Sequence, residues 1–312
     1  MKNGKKYELS FYIDIIHVND SELDRQMEYL SGKEIKWIGI DGIEWEKEKE
    51  PEKVIGILKR CVKRYKVKIS SCHMCGPFFA PAEISQEEVM KYLFKEIDYF
   101  SLWKPPVLVI HWGWLSVEGT LDDKKYLGSI KKQISKHGLK AIDSIQAENF
   151  RRISDHAKKY NIKIALEGMP ASGPAGGSAK QLMSIVNMVD RSNFGMCLDS
   201  GHHATWGYDI GNEVLTIGDK LFETHFHDNL GFKPKAKLTM EIDHHNPVGL
   251  GIINWVKVIR SLWKIGFKGP ITFEGVHIAR GKNIKKFEDF KRSADITINN
   301  WRAFEDLAAW SP

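Results

Sequence analysis

Nine side chains suited to holding divalent metal ions are scattered along this chain: His73, His111, Glu167, Asp199, His202, His225, Asp243, His245 and Glu274. Five imidazoles, two aspartates and two glutamates make a sensible donor set for zinc, manganese or iron. The four carboxylates would repel one another if gathered in one place, and bound cations supply the charge that lets them ionise together. Each residue taken singly has a plainer reading: an Asp or Glu at a strand end can cap the next helix, and a lone His can be a satisfied core residue. The joint pattern carries the argument, because so many strand-like runs end the same way.

Those runs define the scaffold. Short apolar stretches recur between longer amphipathic ones, which argues for a parallel sheet with helices outside it. The predicted strands are 9–16, 40–45, 67–73, 106–112, 162–168, 194–200, 221–227 and 270–275. Helical patterns fall at 87–100, 147–160 and 253–266; the last has apolar residues at 253, 255–256, 258–259 and 262–263, close to a 3.6 period. Gly39, Pro105-Pro106, Gly195 and Gly269-Pro270 are read as joins. The expectation is an α/β fold, a (β/α)8 TIM barrel in one domain over 1–312, with a helical extension from about 283 to 312 packed outside it. Strand C-terminal ends of such a barrel converge on one mouth, which brings the donors together. The Gly-rich stretch 171–179 is read as a mouth loop.

Other features are read as structural. The net charge of +6 is mild, and pairs such as Lys131-Lys132, Lys158-Lys159 and Lys285-Lys286 read as solvated helix surface. There is no long leader-like apolar region near the start and no stretch of about 20 apolar residues. Four cysteines over this length suggest no disulfide framework, so the expected compartment is a reducing cytoplasm. Cys72 and Cys75 form a CxxC without a second pair; strand alternation sends Cys72 and His73 to opposite faces, leaving the cysteines as packing residues. His137 and His156 fall on helical stretches and are expected to face solvent; His203, His244 and His277 adjoin the cluster without being assigned as ligands. His227 shares a strand face with His225 and is taken as a substrate contact or a support for the ligands.

The segments GIDGIEW (39–45), ALEGMP (165–170), CLDSGHHATWGYD (197–209), THFHDN (224–229), DHHNPVGLGIINW (243–255) and ITFEG (271–275) resemble the xylose isomerase-like barrels. That superfamily includes sugar isomerases and epimerases and the endonuclease IV-type nucleases, the family 2 AP endonucleases. The resemblance implies that Glu167, Asp199, His225 and Glu274 form the metal site of the sugar epimerases, with the two glutamates on opposite faces of the substrate. It also implies that His73, His111, His202, Asp243 and His245 complete a trinuclear site of the endonuclease IV kind, so one to three ions per chain are expected. Two loops depart from the nuclease pattern: His111-Trp112-Gly113-Trp114 stands where the nucleases have His-Pro-Gly, and HMCGPFFAP (73–81) lacks their HAPY. The epimerases' substrate-binding Arg after the seventh strand also has no counterpart, and Lys233, Lys235 and Lys237 occupy that region.

The implied activity is a metal-dependent sugar or polyol isomerase or epimerase. A divalent ion would stabilise an enediolate, while Glu167 and Glu274 act as base and acid and His202 positions a hydroxyl or binds a further ion. Trp112, Trp114, Trp206 and His227 are the expected substrate contacts, with Phe78 and Phe79 also at the mouth. The alternatives are an endonuclease IV-like phosphodiesterase acting on abasic DNA, and a sugar dehydratase or lyase on the same scaffold. A non-catalytic binding barrel fits poorly with retention of every donor type. The expected partner is a small carbohydrate, with nucleic acid less favoured, no membrane, and a homo-oligomer compatible with the sequence.

Overall fold

The structure, a computed structural model, describes residues 6–13, 20–40, 51–74, 86–112, 132, 134–171, 176–231, 243–274 and 287–310. Eight strands form one parallel sheet: β1 (Leu9–Ile13), β2 (Trp37–Ile40), β3 (Lys68–His73), β4 (Val107–His111), β5 (Lys163–Glu167), β6 (Phe194–Asp199), β7 (Leu221–His225) and β8 (Ile271–Phe273). Neighbours in the sheet follow chain order, and β8 returns to pair with β1. A parallel bridge between Phe226 and Phe273 links the two ends of the sheet. Helices follow the strands and wrap the outside, which makes this a (β/α)8 barrel. Among the described residues, no helix is long and apolar enough to cross a membrane.

Seven of the expected strands overlap observed ones, and the expected ends at 14–16 and 275 lie outside the described residues. The second differs: the strand is Trp37–Ile40, where 40–45 was expected. Only Ile40 is shared, and 41–45 lie outside the described residues. Two adjacent apolar runs, WIGI and GIEW, offer the same local signal, and pairing with β1 through Ser10–Trp37 to Ile13–Ile40 selects the earlier one. Gly39 and Gly195 are not joins. Both sit inside strands, where a Cβ at Gly39 would come within 2.5 Å of the Tyr12 ring and one at Gly195 within 2.4 Å of the Lys220 carbonyl.

Alternation along each strand divides two apolar regions. Outward residues such as Phe11, Ile38, Leu108, Ile110, Leu166, Met196 and Phe273 pack under the helices. Inside the barrel, Val107, Val109, Ala165 and Cys197 pack with Phe222. A polar group balances them, with Ser10 Oγ 2.8 Å from Ser70 Oγ. The helix Trp255–Ile265 shows why the outer layer forms. Trp255, Val258, Ile259 and Leu262 are its buried stripe, Asn254 caps its start by accepting from the Lys257 N–H, and Gly266 ends it with φ 71°.

The C-terminal helix spans Phe287–Trp310, within the expected extension. It is packed into the barrel wall: Trp301 is fully buried, with ring centroids 5.4 Å from Phe273 and 5.9 Å from Phe226 and Trp255. Glu305 accepts from the Tyr7 N–H at 2.8 Å, and Arg302 donates to the Tyr7 carbonyl at 2.9 Å, tying the helix to the entry of β1. Truncating a buried tryptophan leaves a cavity as well as losing apolar burial. Trp301→Ala should therefore cost about 3–5 kcal/mol, read as a lower urea midpoint.

Candidate metal centre

Register delivers the donors to one level. His73, His111, Glu167, Asp199 and His225 are the last residues of β3 to β7, and Glu274 directly follows β8. His111 pairs across the ladder with Glu167, and Asp199 with His225. Asp199 also caps the helix Ser200–Thr205, its Oδ1 accepting from the His202 N–H at 2.6 Å, so the first turn carries His202 over the same cavity. One carboxylate thus caps the helix and lies in the candidate donor group.

Asp243 and His245 come from a loop, and Asp228 anchors it. The fully buried Asp228 carboxylate accepts from Gly249 N (3.0 Å), Ile253 N (3.2 Å) and Trp255 Nε1 (2.8 Å). Its backbone exchanges hydrogen bonds of 2.7 and 2.9 Å with Asn246. Gly251 permits this approach, since a Cβ there would lie 2.2 Å from Asp228 Oδ1.

All nine donors converge. Ligand atoms within 4.8 Å of one another form the groups His73/His111/Glu167, Glu167/Asp199/His225/Glu274 and His202/Asp243/His245. Glu167 divides its oxygens between two of them. Oε2 lies 3.1 Å from His73 Nε2 and 3.9 Å from His111 Nε2, while Oε1 lies 3.2 Å from His225 Nδ1. His225 Nδ1 is also 3.1 Å from Glu274 Oε2. In the third group Asp243 Oδ2 lies 2.9 Å from His245 Nε2 and 3.3 Å from His202 Nε2.

Backbone carbonyls set the ring orientations. His73 Nδ1 faces the Met74 carbonyl at 3.0 Å and His202 Nδ1 faces the Gly168 carbonyl at 2.9 Å. A carbonyl only accepts, so each Nδ1 carries the hydrogen and each Nε2 is left for the cavity. Elsewhere polar atoms have no hydrogen-bond partner among the described residues: both nitrogens of His225, Oδ1 of Asp243, Nδ1 of His245 and Oε2 of Glu274. His225 Nδ1 is close to two carboxylates yet misaligned with both, as donors facing a common ion would be. Buried polar atoms left this way cost about 1–3 kcal/mol each, so the cavity fits cations.

Electrostatics agree with that chemistry. Burial raises the Glu167, Glu274 and Asp243 carboxyls, but the imidazoles around them outweigh it and hold all three well below the usual carboxylate range. Burial opposes the charged form of His202 and His225, yet neighbouring anionic groups push both well above the usual range; His227 reaches about 9, chiefly through Asp199. Burial instead takes His111 down to about 3, which leaves it neutral and ready to coordinate.

The expected substrate contacts fare differently. Trp112 is fully buried and points outward, donating from Nε1 to Asp143 Oδ1 at 2.8 Å, so it belongs to the barrel wall. Trp206 is half-buried and donates to the Met169 carbonyl at 2.7 Å; it packs against Gly177, where a Cβ would lie 1.9 Å from its Nε1. Its indole therefore bridges Met169 and Gly177. His227 is fully buried inside the cluster. Trp114, Phe78, Phe79, Cys75, His277, Lys131, Lys233, Lys235, Lys237, Lys285 and Lys286 lie outside the described residues. His137 is exposed as expected. His156 is not, since its Nε2 meets Asp98 Oδ1 at 2.6 Å and its ring stacks on Phe94. His203 binds Glu213 at 2.6 Å. Two neighbours went unforeseen: Cys197, within ligand distance of Glu167 and His225, and Tyr12, whose ring meets His225 edge-on at 4.6 Å. Inward alternation along β1 and β6 was the available signal for both.

The class is thus a parallel eight-stranded barrel with carboxylates and imidazoles clustered at its mouth. Residues 32–289 match the xylose isomerase-like TIM barrel family, and the chain belongs to it. Over 145 residues the chain is 32% identical to inosose isomerase from Bacillus subtilis (strain 168), a match covering 46% of this chain and 48% of that protein. Over 133 residues it is 28% identical to a probable endonuclease 4 from Acholeplasma laidlawii (strain PG-8A), covering 39% and 44% respectively. The chain thus spans about half the length of the curated relatives it matches. D-psicose 3-epimerase from Clostridium cellulolyticum H10, solved with D-tagatose, has the same fold: TM-score 0.69 over 95% of this chain and 99% of that one, at 15% identity.

Two outcomes follow. Metal ligation needs neutral imidazoles, and His202 and His225 hold protons above their ordinary range. Cation uptake should therefore release protons, and affinity should rise with pH; calorimetry in buffers of different ionisation enthalpy reads the proton count. Asp228→Asn turns one acceptor into a donor facing buried donors, at about 1–3 kcal/mol for each group stranded. A lower urea midpoint and faster hydrogen exchange in 243–254 should result.

Proposed function

We propose that this protein is a divalent-metal-dependent isomerase or epimerase of a sugar or polyol. The observation that carries the reading is the group Glu167/Asp199/His225/Glu274, in which two glutamates approach one imidazole nitrogen at 3.2 and 3.1 Å. These four residues would hold one cation, whose charge would stabilise an enediolate formed next to a substrate carbonyl. Glu167 and Glu274 come from strands on different sides of the mouth and would take and return the proton as base and acid. Their depressed carboxyl ranges suit a base that is ionised before substrate arrives. His202 would orient a hydroxyl. The likeness to inosose isomerase supports a cyclic polyol ketone or a ketose as substrate. The whole chain is read as one domain.

A second reading has its own observation. The three donor groups could hold three ions, with Glu167 bridging two, and a probable endonuclease 4 is among the relatives. This arrangement would neutralise a phosphodiester and supply a hydroxide nucleophile. Trp112 turned into the wall leaves it no role in contacting either substrate.

Elemental analysis and proton exchange separate the two. The isomerase reading expects one tightly held ion and deuterium incorporation beside the carbonyl when metal-loaded protein meets ketoses and inososes in deuterated water. Glu167→Gln and Glu274→Gln should each lower that exchange by about 10²–10⁴-fold. No exchange on the panel, with cleavage of an abasic oligonucleotide and three bound ions, would overturn it in favour of the nuclease.

A further inference from the structure

We propose that His227 is a positioning residue that locks Asp199 and joins the two halves of the metal centre, so that changing its ring alters the affinity of both. This rests on the metal reading above. His227 belongs to none of the three donor groups, yet it touches two of them. Its Nε2 lies 3.1 Å from Asp199 Oδ2 and 3.9 Å from Asp243 Oδ1. Its ring stacks face to face on His245, with centroids 3.9 Å apart and planes 6° apart. A carboxylate oxygen only accepts, so Nε2 carries a hydrogen and donates it to Asp199.

The consequence for Asp199 is immobilisation. Oδ1 accepts from the His202 N–H at 2.6 Å and Oδ2 accepts from His227. Both oxygens are held, which fixes the carboxylate within 4.8 Å of the ligand atoms of Glu167, His225 and Glu274. The same ring braces the flat face of His245, the loop-borne ligand of the other group. Hydrogen-bond partners of metal ligands tune affinity this way.

The chain makes room for this ring at one position. A Cβ on Gly201 would lie 1.9 Å from His227 Cε1, 2.5 Å from Nδ1 and 2.6 Å from Nε2. Gly201 lies within the helix Ser200–Thr205 and not at a positive φ, so the ring and not the backbone excludes a side chain there. The His227 backbone is anchored separately: its N–H donates to Ser200 Oγ at 2.9 Å, and that hydroxyl donates to its carbonyl at 2.6 Å. Replacing the ring therefore leaves the strand tethered, and the Gly201–His227 pair can be tested as a unit.

The experiment is zinc titration of full-length protein against a competing chelator, with the electronic spectrum of the cobalt form as a second readout and urea unfolding as the fold control. His227→Ala should weaken zinc binding by about 10–100-fold and shift the cobalt bands. His227→Asn keeps an N–H donor and should recover part of that loss. Gly201→Ala should weaken binding in the natural background and have little further effect beside His227→Ala, because the clash is then gone. Wild-type zinc affinity and cobalt bands in His227→Ala would overturn the proposal, as would equal effects of Gly201→Ala in both backgrounds. Absence of zinc or cobalt uptake by the wild-type protein would instead sink the metal reading, and this role with it.

Discussion

Four carboxylates share a cavity that water barely reaches, and the balance of charge there is the constraint to which the rest of the molecule answers. Glu167, Asp199 and Asp243 are almost fully buried, and Glu274 is 9% exposed. Removing such groups from water is costly unless opposite charge stands close by. Imidazoles meet all four acids directly, at 3.1 Å from Glu167, Asp199 and Glu274 and 2.9 Å from Asp243. They also leave several donor atoms facing the cavity instead of each other. A site arranged like this has the donor types and the charge balance that suit a cation.

The barrel supplies the geometry that gathers these groups. Parallel register sets strand ends level, so residues far apart in sequence reach one cavity without long side chains. Carbonyl partners choose which nitrogen of His73 and His202 faces inward. The loop bearing Asp243 and His245 has no strand to hold it, and the Asp228 carboxylate performs that task through three backbone or indole donors.

Outer packing and inner chemistry are linked by alternation. At the seam between β7 and β8, Phe226 and Phe273 point outward to Trp301, while His225, His227 and Glu274 point inward. The C-terminal helix presses on the first set and so supports the second. Glycines serve the same end: Gly39 admits the Tyr12 ring and Gly201 admits His227.

What the chain declares locally is which residue types end its strands. Apolar runs capped by His, Asp or Glu are a short-range pattern, so the barrel class, the six strand-end candidates and most strand positions are legible without coordinates. Partnership is not local. Trp112 reads as a mouth aromatic because it follows His111, but the next step of the strand turns it outward, where Asp143 of a later helix takes its N–H. His227 reads as a substrate contact or a support for the ligands, and only the closed barrel brings Asp199 and His245 against it. The position of β2 was likewise decided by pairing with β1, since two neighbouring apolar runs carry equal local preference. Burial and hydrogen-bond partners depend on segments distant in the chain, and only the closed barrel brings those segments together.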